Sequence, residues 1–393
     1  MKKLLAGMRV LDLTQAYSGP FCTQFLADFG AEVIKIEMPE TGDMTRWWNP
    51  IVNGKSGYFT LVNRNKKSIT LNLKRPEAKE IFLDLVKTAD IVVENYRPGY
   101  AAKLGIDYET VKAAKHDIIY ASLSGFGQYG PLRDRAAFAI IAEAMSGQMD
   151  LTGFPDGPPV KTGTSIGDTF TGTMLLVGIL MALLHRERCG EGQYIDVAMT
   201  DVLFSATECN LPNYSLGADP TRIGNRDPLG APYDAYRAND GWYVMGCGTP
   251  GHWIKICQVM QRPDLIEDPR FCDFVVRKEN EEELTELIND WSKDKTRTEL
   301  EEMFMPTGIP FAPVLTIAEA AQLEQIKARD MVVELDDPIM GKVMVPGVPI
   351  KMSTLEAAIE STSPELGQNN EEIYAGIGIT KQVIQDLTDQ GII

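Results

Sequence analysis

Short apolar runs alternate with amphipathic segments along the first part of the chain. Residues 8–13 and 32–37 have the length and the apolar content of buried strands. Residues 21–29 carry apolar side chains at helical spacing, with Gly19-Pro20 before them and Gly30 after them, as suits the two ends of a helix. A strand, a helix and a second strand in such close succession predict a right-handed crossover between parallel strands.

The same alternation continues further along the chain. Strands are predicted at residues 68–73, 90–94, 117–123 and 194–198, and helices at residues 76–88, 108–115 and 136–145. This order of elements predicts an open α/β, Rossmann-like domain built on a parallel sheet. Ligands of such sheets bind beyond the carboxyl ends of the strands. The candidate binding loops are therefore residues 14–20, 37–46, 95–99, 124–131 and the loop that leads to Asp168.

The longest apolar run, residues 174–184, directly follows a glycine-rich stretch that contains Asp168. Aspartate is a favoured N-cap, and the positive end of a helix dipole favours its ionised form. Asp168 is therefore predicted to be a carboxylate at the first residue of a buried helix. The local pattern leaves two roles open, a helix cap and a catalytic group. The uncharged residues 169–184 are fewer than the roughly 18–20 that a membrane span requires, so a core helix is predicted.

A smaller α/β region is predicted after a segment rich in Gly, Pro, Asp and Arg. Its elements are strands at residues 233–237, 242–245 and 310–315, a hairpin across 331–345, and helices at 253–260, 281–293, 297–303 and 317–328. A helix is also predicted before that segment, at 201–211, and two in the C-terminal tail, at 370–375 and 381–390. No internal repeat is visible.

Composition narrows the classes of partner. The net charge of −17 over 393 residues argues against nucleic acid and against an anionic membrane surface. The six cysteines and three histidines show no familiar metal-binding spacing, so reduced thiols and no metal site are expected. Gly7, Arg9 and Asp12 interrupt any apolar leader at the start of the chain. A cytoplasmic protein is expected.

Residues 246–251 match the glycine pattern of dinucleotide-binding loops. Such a loop also requires an acidic residue at the end of a second strand about 20 residues further on. The chain has a turn-rich acidic stretch there, and Pro250 removes one backbone N–H from the phosphate cradle. NAD or FAD binding is therefore not expected. A structural turn or a glycine loop that closes over an active site are the remaining interpretations.

Several motifs follow one another in the order of a known family. They lie at residues 5–37, 42–46, 65–74, 93–99, 123–130, 167–168 and 190–199, and they include Asn95-Tyr96-Arg97-Pro98-Gly99 and Gly190-Glu191-Gly192-Gln193-Tyr194. On these motifs the chain resembles the class III CoA-transferases, which include formyl-CoA transferase and carnitine CoA-transferase. The likeness spans nearly the whole chain.

The resemblance implies an architecture and an activity. It implies a large Rossmann-like, CoA-binding domain from residues 1–205 and 330–393, a small α/β domain at 225–329, and a linker at 206–224. It also implies an interlocked homodimer. The expected activity is the transfer of CoA from an acyl-CoA donor to a carboxylic acid, with CoA thioesters as substrates and no permanently bound cofactor.

The resemblance also implies roles for individual residues. Asp168 matches the catalytic nucleophile, which forms a covalent aspartyl intermediate. Gly246, Gly248 and Gly251 are candidates for a lid or for the oxyanion hole. The residues expected to bind CoA are Ala16, Tyr17, Lys74, Asn95, Tyr96, Arg97 and Lys103.

The chain departs from formyl-CoA transferase at several positions. Tyr17 replaces a glutamine, Met38 replaces an arginine, and Ala136 replaces a CoA-contacting lysine, with Arg133 and Arg135 as neighbouring substitutes. A glycine-rich insertion in the small domain is also missing. These differences argue against oxalate or formate as the substrate.

Two alternative functions are weighed against the transferase. The α-methylacyl-CoA racemases share the fold but carry a His-Asp pair where this chain has Phe138-Ala139. Without that imidazole the proton transfer of a racemase lacks its base. A non-catalytic CoA-binding protein is the third possibility, and it requires that Asp168 is only a helix cap.

Overall fold

The computed structural model describes residues 3–393 and divides them into two compact units. The first unit comprises the chain up to Gln148, Lys161–Leu211 and Glu324–Ile393, and the second comprises Met149–Val160 and Pro212–Leu323. Residues 149–160, predicted to belong to the large domain, thus lie in the second unit. The predicted linker at 206–224 is not a separate segment, because the boundary between the units falls inside a helix, Asn210–Ser215.

The strands of the described chain vary in length from two to six residues. They are β1 (Arg9–Asp12), β2 (Glu32–Glu37), β3 (Ile51–Val52), β4 (Lys55–Ser56), β5 (Lys67–Thr70), β6 (Ile91–Glu94), β7 (Ile119–Ser124), β8 (Tyr194–Ala198), β9 (Tyr233–Ala238), β10 (Gly241–Gly246), β11 (Phe311–Pro313), β12 (Val332–Asp337) and β13 (Gly341–Pro346).

The α-helices vary in length from four to 24 residues. They are α1 (Ser18–Asp28), α2 (Gly57–Asn63), α3 (Pro76–Lys87), α4 (Tyr100–Leu104), α5 (Tyr108–Ala114), α6 (Ala139–Met145), α7 (Gln148–Leu151), α8 (Ile166–Cys189), α9 (Met199–Ser205), α10 (Asn210–Ser215), α11 (Pro250–Val259), α12 (Phe274–Glu279), α13 (Glu281–Ser292), α14 (Arg297–Phe304), α15 (Ile317–Ala320), α16 (Glu324–Ala328), α17 (Asn370–Gly376) and α18 (Lys381–Asp389).

The first unit is built on a six-stranded sheet with the order β5-β2-β1-β6-β7-β8, and all of its neighbouring strands are parallel. Renumbered along the chain, this is the order 3-2-1-4-5-6 of a Rossmann-type sheet, so the predicted α/β fold on a parallel sheet is confirmed. The strand order reverses between β1 and β6, which places the binding crevice of such a sheet beside the loops that follow these two strands.

Both faces of this sheet are covered, which explains why apolar residues face both sides of its central strands. Val10, Val33 and Val93 pack on one face with α1 and α8. Their neighbours along the chain point to the other face and pack against α3 and the C-terminal helices. The second unit contains an antiparallel sheet, β11-β10-β9, with a core of its own.

Two predicted helices are divided in the structure. Residues 201–211 contain parts of α9 and α10, and residues 317–328 contain α15 and α16. The helix α2 and the hairpin β3–β4 were not predicted, because their segments carry no sustained apolar period.

Helix α8 is longer than the apolar run that predicted it. Its 24 residues make it long and apolar enough to cross a membrane by length and composition, so the prediction that it is too short was wrong. Of its most apolar 18-residue window, 39% is buried. Leu175 and Ile179 are fully buried in the core, whereas Met181 is 67% exposed.

Four buried charges support the loop that follows β1. Asp12 and Lys66 form an ion pair at 2.9 Å, and Lys35 pairs with Asp43 at the same distance, with all four side chains almost fully buried. Burial alone would raise the pKa of Asp12, but Lys66 and Lys35 outweigh burial and hold it well below its usual range. Burial lowers the pKa of Lys66 to about 8, although Asp12 opposes the shift. Lys35 also donates a hydrogen bond to the Thr14 carbonyl at 2.7 Å.

We expect Asp12→Asn to lower the free energy of unfolding by about 3 kcal/mol, because Lys66 is left buried without its counter-charge. Urea denaturation followed by circular dichroism measures this loss. Asp84→Asn is the matched control, since it breaks the exposed Lys87–Asp84 pair and should cost less than about 1 kcal/mol. Equal losses in the two variants would contradict a structural role for the buried pair.

Candidate active site

A cavity of about 290 Å³ lies at the carboxyl ends of β1, β6 and β7. Four of the five loops predicted from the strand pattern contribute to its wall, and Asp168 contributes from the first turn of α8. It brings together five residues that the sequence analysis assigned to the site, namely Ala16, Asn95, Tyr96, Arg97 and Asp168.

The loop after β1 is held in an unusual conformation. Ala16 has a φ of +64°, a region that residues other than glycine rarely occupy. The neighbouring residue is fixed by a reciprocal pair: the Gln15 N–H donates to Asn95 Oδ1 at 2.9 Å, and Asn95 Nδ2 donates to the Gln15 carbonyl at 2.8 Å. The Ala16 N–H donates to Asp43 Oδ1 at 3.3 Å. Strain of this kind persists where surrounding contacts determine the backbone, as they do here.

The sequence analysis predicted Asp168 as the N-cap of α8, and this prediction was wrong. The cap position is Ser165, and Asp168 is the third residue of the helix, in its first turn. A carboxylate at this position is still favoured by the helix dipole. The Asp168 side chain accepts a hydrogen bond from Ser18, at the start of α1.

A close approach of two helices creates this contact. Gly172 lies one turn after Asp168 on α8, and a Cβ at Gly172 would meet the Ser18 carbonyl oxygen at 2.5 Å. Only a residue without a side chain allows α1 to come so near. The Gly167 backbone similarly faces Ala139 of α6, where an added Cβ would lie 3.0 Å from the alanine methyl.

The surroundings of Asp168 make its carboxyl group more basic than usual. Burial raises its pKa to about 6, the Ser18 hydrogen bond opposes the rise, and the negative charge of Glu143 adds to it. Glu143 is buried in α6 and accepts a hydrogen bond from the Thr162 N–H at 3.0 Å. With a pKa near 6, Asp168 is about nine-tenths ionised at pH 7.

Aromatic side chains lie near Asp168 on the side of the loop that follows β1. Tyr17 stacks on Phe21 with ring centroids 5.7 Å apart, and Tyr58 meets Tyr17 edge-on at the same distance. Trp48 meets Tyr58 edge-on at 5.1 Å. Burial and the charge of Asp168 raise the pKa of Tyr17. Burial, Tyr17 and Asp168 raise the pKa of Tyr58 to about 12. The hydroxyls of Tyr17 and Tyr58 therefore both stay protonated at neutral pH.

Basic side chains line the cavity away from this aromatic group. Arg97, Arg133 and Arg135 all lie on its wall and are exposed. Lys74 and Lys103, which the resemblance assigned to CoA, are exposed but do not line the cavity. Tyr17 is likewise absent from the wall, although Ala16 and Ser18 on either side of it are part of it.

Gly246, Gly248 and Gly251 lie in the second unit, at the junction of β10 and α11. There Thr249 caps the helix by accepting a hydrogen bond from the His252 N–H. The preceding strand belongs to an antiparallel sheet, which is not the parallel strand–helix–strand setting of a dinucleotide-binding loop. The role of these glycines as a lid or as oxyanion donors stays a prediction.

The sequence analysis missed four residues near Asp168. Ser18, Tyr58 and Glu143 each act on Asp168 through space or through a hydrogen bond, and Met44 lines the cavity. Ser18 had one available signal, its position just before Gly19-Pro20. The others lie on segments whose side chains point to the site only after folding. Within residues 3–393, no cluster of three His, Cys, Asp or Glu side chains is arranged to hold a metal ion.

Comparison with known proteins gives a consistent family. The model of CoA-transferase family III matches residues 5–370. The chain is 37% identical over 393 residues to succinyl-CoA–D-citramalate CoA-transferase of Chloroflexus aurantiacus, covering 99% of this chain and 98% of that protein. It is 42% identical over 349 residues to acetyl-CoA:oxalate CoA-transferase of Acetobacter aceti, covering 88% of each.

A solved structure supports the same assignment. A CAIB/BAIF family protein from Brucella suis superposes with a TM-score of 0.88 at 36% identity, covering 96% of this chain and 100% of that one. Family match, relatives and fold agree over nearly the full length. The chain therefore belongs to CoA-transferase family III.

Proposed function

We propose that the protein transfers CoA from an acyl-CoA to a dicarboxylic acid through a covalent intermediate on Asp168. One observation carries the proposal: a partly buried carboxylate with a raised pKa lies on the wall of a cavity that three arginines also line. A carboxylate nucleophile suits CoA transfer, because its adduct is an acyl anhydride that a thiolate reopens readily.

The first half of the reaction loads the enzyme. The Asp168 carboxylate attacks the thioester carbonyl, the C–S bond breaks, and a mixed anhydride and CoA thiolate result. The thiolate then attacks the aspartyl carbonyl, which releases the donor acid and leaves an aspartyl-CoA thioester. The raised pKa of Asp168 increases its nucleophilicity while leaving most of it ionised at pH 7.

The second half returns the enzyme to its starting state. The acceptor carboxylate attacks the aspartyl thioester, forming a new anhydride and CoA thiolate. The thiolate attacks the acceptor carbonyl, and the Asp168 carboxylate leaves. No proton is consumed and no water takes part, so a site that excludes water protects both anhydrides from hydrolysis.

Each of these steps develops an oxyanion that needs N–H donors. Two backbone N–H groups of the first turn of α8 and of the loop after β7 are already engaged: the Thr169 N–H donates to the Ser165 carbonyl at 3.0 Å, and the Gly127 N–H donates to Ser124 Oγ at 2.9 Å. Gly125 lies on the cavity wall, where a side chain is excluded because its Cβ would lie 2.3 Å from Ala137. We place the oxyanion near Gly125.

The phosphates of CoA call for local positive charge in a protein of net charge −17. Arg97, Arg133 and Arg135 supply it at the cavity. In formyl-CoA transferase, a CoA-contacting lysine occupies the position of Ala136 in this chain. Arg133 and Arg135 are proposed to bind CoA in its place. Lys74 and Lys103, exposed outside the cavity, are proposed for the more distant parts of a molecule as long as CoA.

The class of acceptor is proposed from two observations. D-Citramalate and oxalate, which appear in the names of the two relatives, are both dicarboxylic acids. In this chain, the protonated hydroxyls of Tyr17 and Tyr58 near Asp168 can donate to a second carboxylate. A racemase is disfavoured, because Phe138 takes the place of the basic histidine and the cavity wall of the described chain includes no histidine.

The proposed assembly is an interlocked homodimer. Four exposed apolar side chains on α8, namely Met174, Leu180, Met181 and Leu184, support an interface along this helix, since clustered exposed apolar surface marks protein contacts.

We expect dicarboxylic acceptors of three to five carbons to exceed matched monocarboxylic and betaine acids by at least about tenfold in kcat/KM. Succinyl-CoA serves as donor, and chromatography of the new thioester measures transfer. Tyr58→Phe should narrow this preference, because it removes one hydroxyl and keeps the ring. Equal rates with mono- and dicarboxylic acids would show that the acid class is wrong.

Incubation with succinyl-CoA and hydroxylamine should trap a hydroxamate on Asp168, detected by peptide mass spectrometry. Asp168→Asn keeps the shape of the side chain without its nucleophile, so transfer should fall at least about 1,000-fold. An Asp168→Asn enzyme that transfers CoA at the normal rate, with no adduct in the wild type, would overturn the covalent mechanism.

The pKa of about 6 predicts the acid limb of the pH profile. Below pH 6, kcat/KM should fall about tenfold per pH unit as Asp168 becomes protonated, and above it the profile should level off. Glu143→Gln removes a neighbouring negative charge and should move this limb to lower pH. The limb should move only part of the way towards the pH expected for an ordinary aspartate, because burial raises the pKa of Asp168 more than the charge of Glu143 does. An unmoved limb in Glu143→Gln would contradict this electrostatic assignment.

A further inference from the structure

A row of three polar residues crosses the sheet beside the cavity, separate from the buried charges of β1 and β2. Glu94 on β6 is the register partner of Ser122 on β7, and Ser122 is the register partner of Asp196 on β8. Glu94 is 3% exposed and Ser122 is 1% exposed. The proposed chemistry does not use this row, so its burial needs another explanation.

Both ends of the row hold a loop of the cavity region through a backbone amide. Glu94 Oε2 accepts a hydrogen bond from the Tyr96 N–H at 2.7 Å, and its Oε1 accepts one from the Ser122 hydroxyl. Asp196 Oδ2 accepts one from the Gln128 N–H at 2.9 Å. Glu94 is therefore the link between the middle of the sheet and the loop at residues 95–98, four residues that line the cavity.

Burying this carboxyl group is costly. Burial raises the pKa of Glu94 to about 7, Asp196 contributes to the rise, and the hydrogen bonds from Ser122 and the Tyr96 amide oppose it. A buried acceptor of this kind is retained where its hydrogen bonds fix a geometry that apolar packing alone would leave loose. The geometry in question is the path of the chain from Glu94 to Arg97.

That path is fixed at two consecutive residues and free at the third. Asn95 is clamped to Gln15 by its reciprocal pair of hydrogen bonds, and Tyr96 is clamped by Glu94. Arg97 follows, exposed on the cavity wall, and within the described residues 3–393 its guanidinium makes no hydrogen bond or ion pair, while its carbonyl accepts a hydrogen bond from the Tyr100 N–H at 3.0 Å. An unpartnered guanidinium on a rigid support is organised in advance for an anionic ligand.

We propose that Glu94 is a positioning residue for acyl-CoA, which holds the Tyr96 amide against Ser122 and thereby presents Arg97 to the CoA phosphates. The inference rests on the proposed function, since it requires CoA in this cavity. It assigns Glu94 to ligand affinity and not to the chemical steps. Its loss therefore acts on binding and leaves the rate of the loaded enzyme largely unchanged.

The test compares the dissociation constant of CoA, measured by calorimetry, with KM and kcat in transfer from succinyl-CoA. In Glu94→Ala, the dissociation constant and KM should rise about tenfold, while kcat at saturation stays within about twofold. Glu94→Gln should remain within about threefold of the wild type, because its amide can accept from Tyr96 and donate to Ser122 Oγ. Glu77→Ala, an exposed glutamate on α3, is the control.

Each outcome decides between the possibilities. A folded Glu94→Ala that binds CoA like the wild type, or that loses kcat with binding unchanged, overturns the proposal. A Glu94→Gln as weak as Glu94→Ala also overturns it, since charge and not hydrogen bonding would then matter. If Glu94→Ala fails to fold, Ser122→Ala decides: it should raise the dissociation constant two- to fivefold, and no change contradicts the proposal. A wild type that binds CoA but transfers none would disprove the proposed function alone.

Discussion

The site depends on four buried charges of alternating sign that lie beneath the loop following β1. Asp12 and Lys35 are direct neighbours across β1 and β2, and Lys66 and Asp43 complete the set. None of these charges can be buried alone without a cost of several kcal/mol, so they are placed together or not at all. Because Lys35 also holds the Thr14 carbonyl and Asp43 holds the Ala16 amide, the set fixes the path of the loop. That path carries Tyr17 and Ser18 to Asp168.

The second requirement is the absence of a side chain at Gly172. The close crossing of α1 and α8 gives Asp168 a hydrogen-bond donor and a buried setting at the same time. The two aspartates of this region show what the setting decides. Asp12 is fully buried between lysines, which lower its pKa, whereas Asp168 is partly buried without a cation, and its pKa rises. The same side chain thus serves as a structural ion in one place and has the basicity suited to the proposed nucleophile in the other.

Charge is distributed unevenly between the molecule and its cavity. A net charge of −17 would repel CoA, yet Arg97, Arg133 and Arg135 meet at one cavity wall. Field effects are local at physiological ionic strength, since the Debye length is about 8 Å. Three arginines around one cavity can therefore attract phosphates while the acidic surface elsewhere discourages other polyanions.

The sequence by itself determined the six strands of the parallel sheet and most of the loops that meet at the cavity. Apolar runs of strand length and glycines at helix ends are local signals, and β2 was predicted to the residue. It also singled out Asp168, Asn95 and Arg97, because motif order along the chain carries that information. Tertiary structure alone decided that Ser18, Tyr58 and Glu143 surround Asp168, that Asp168 lies inside the first turn of its helix, and that Lys74 and Lys103 stay off the cavity wall. The reason is physical: side-chain direction and burial depend on how distant helices pack, and no local pattern records a contact between residues 18 and 168.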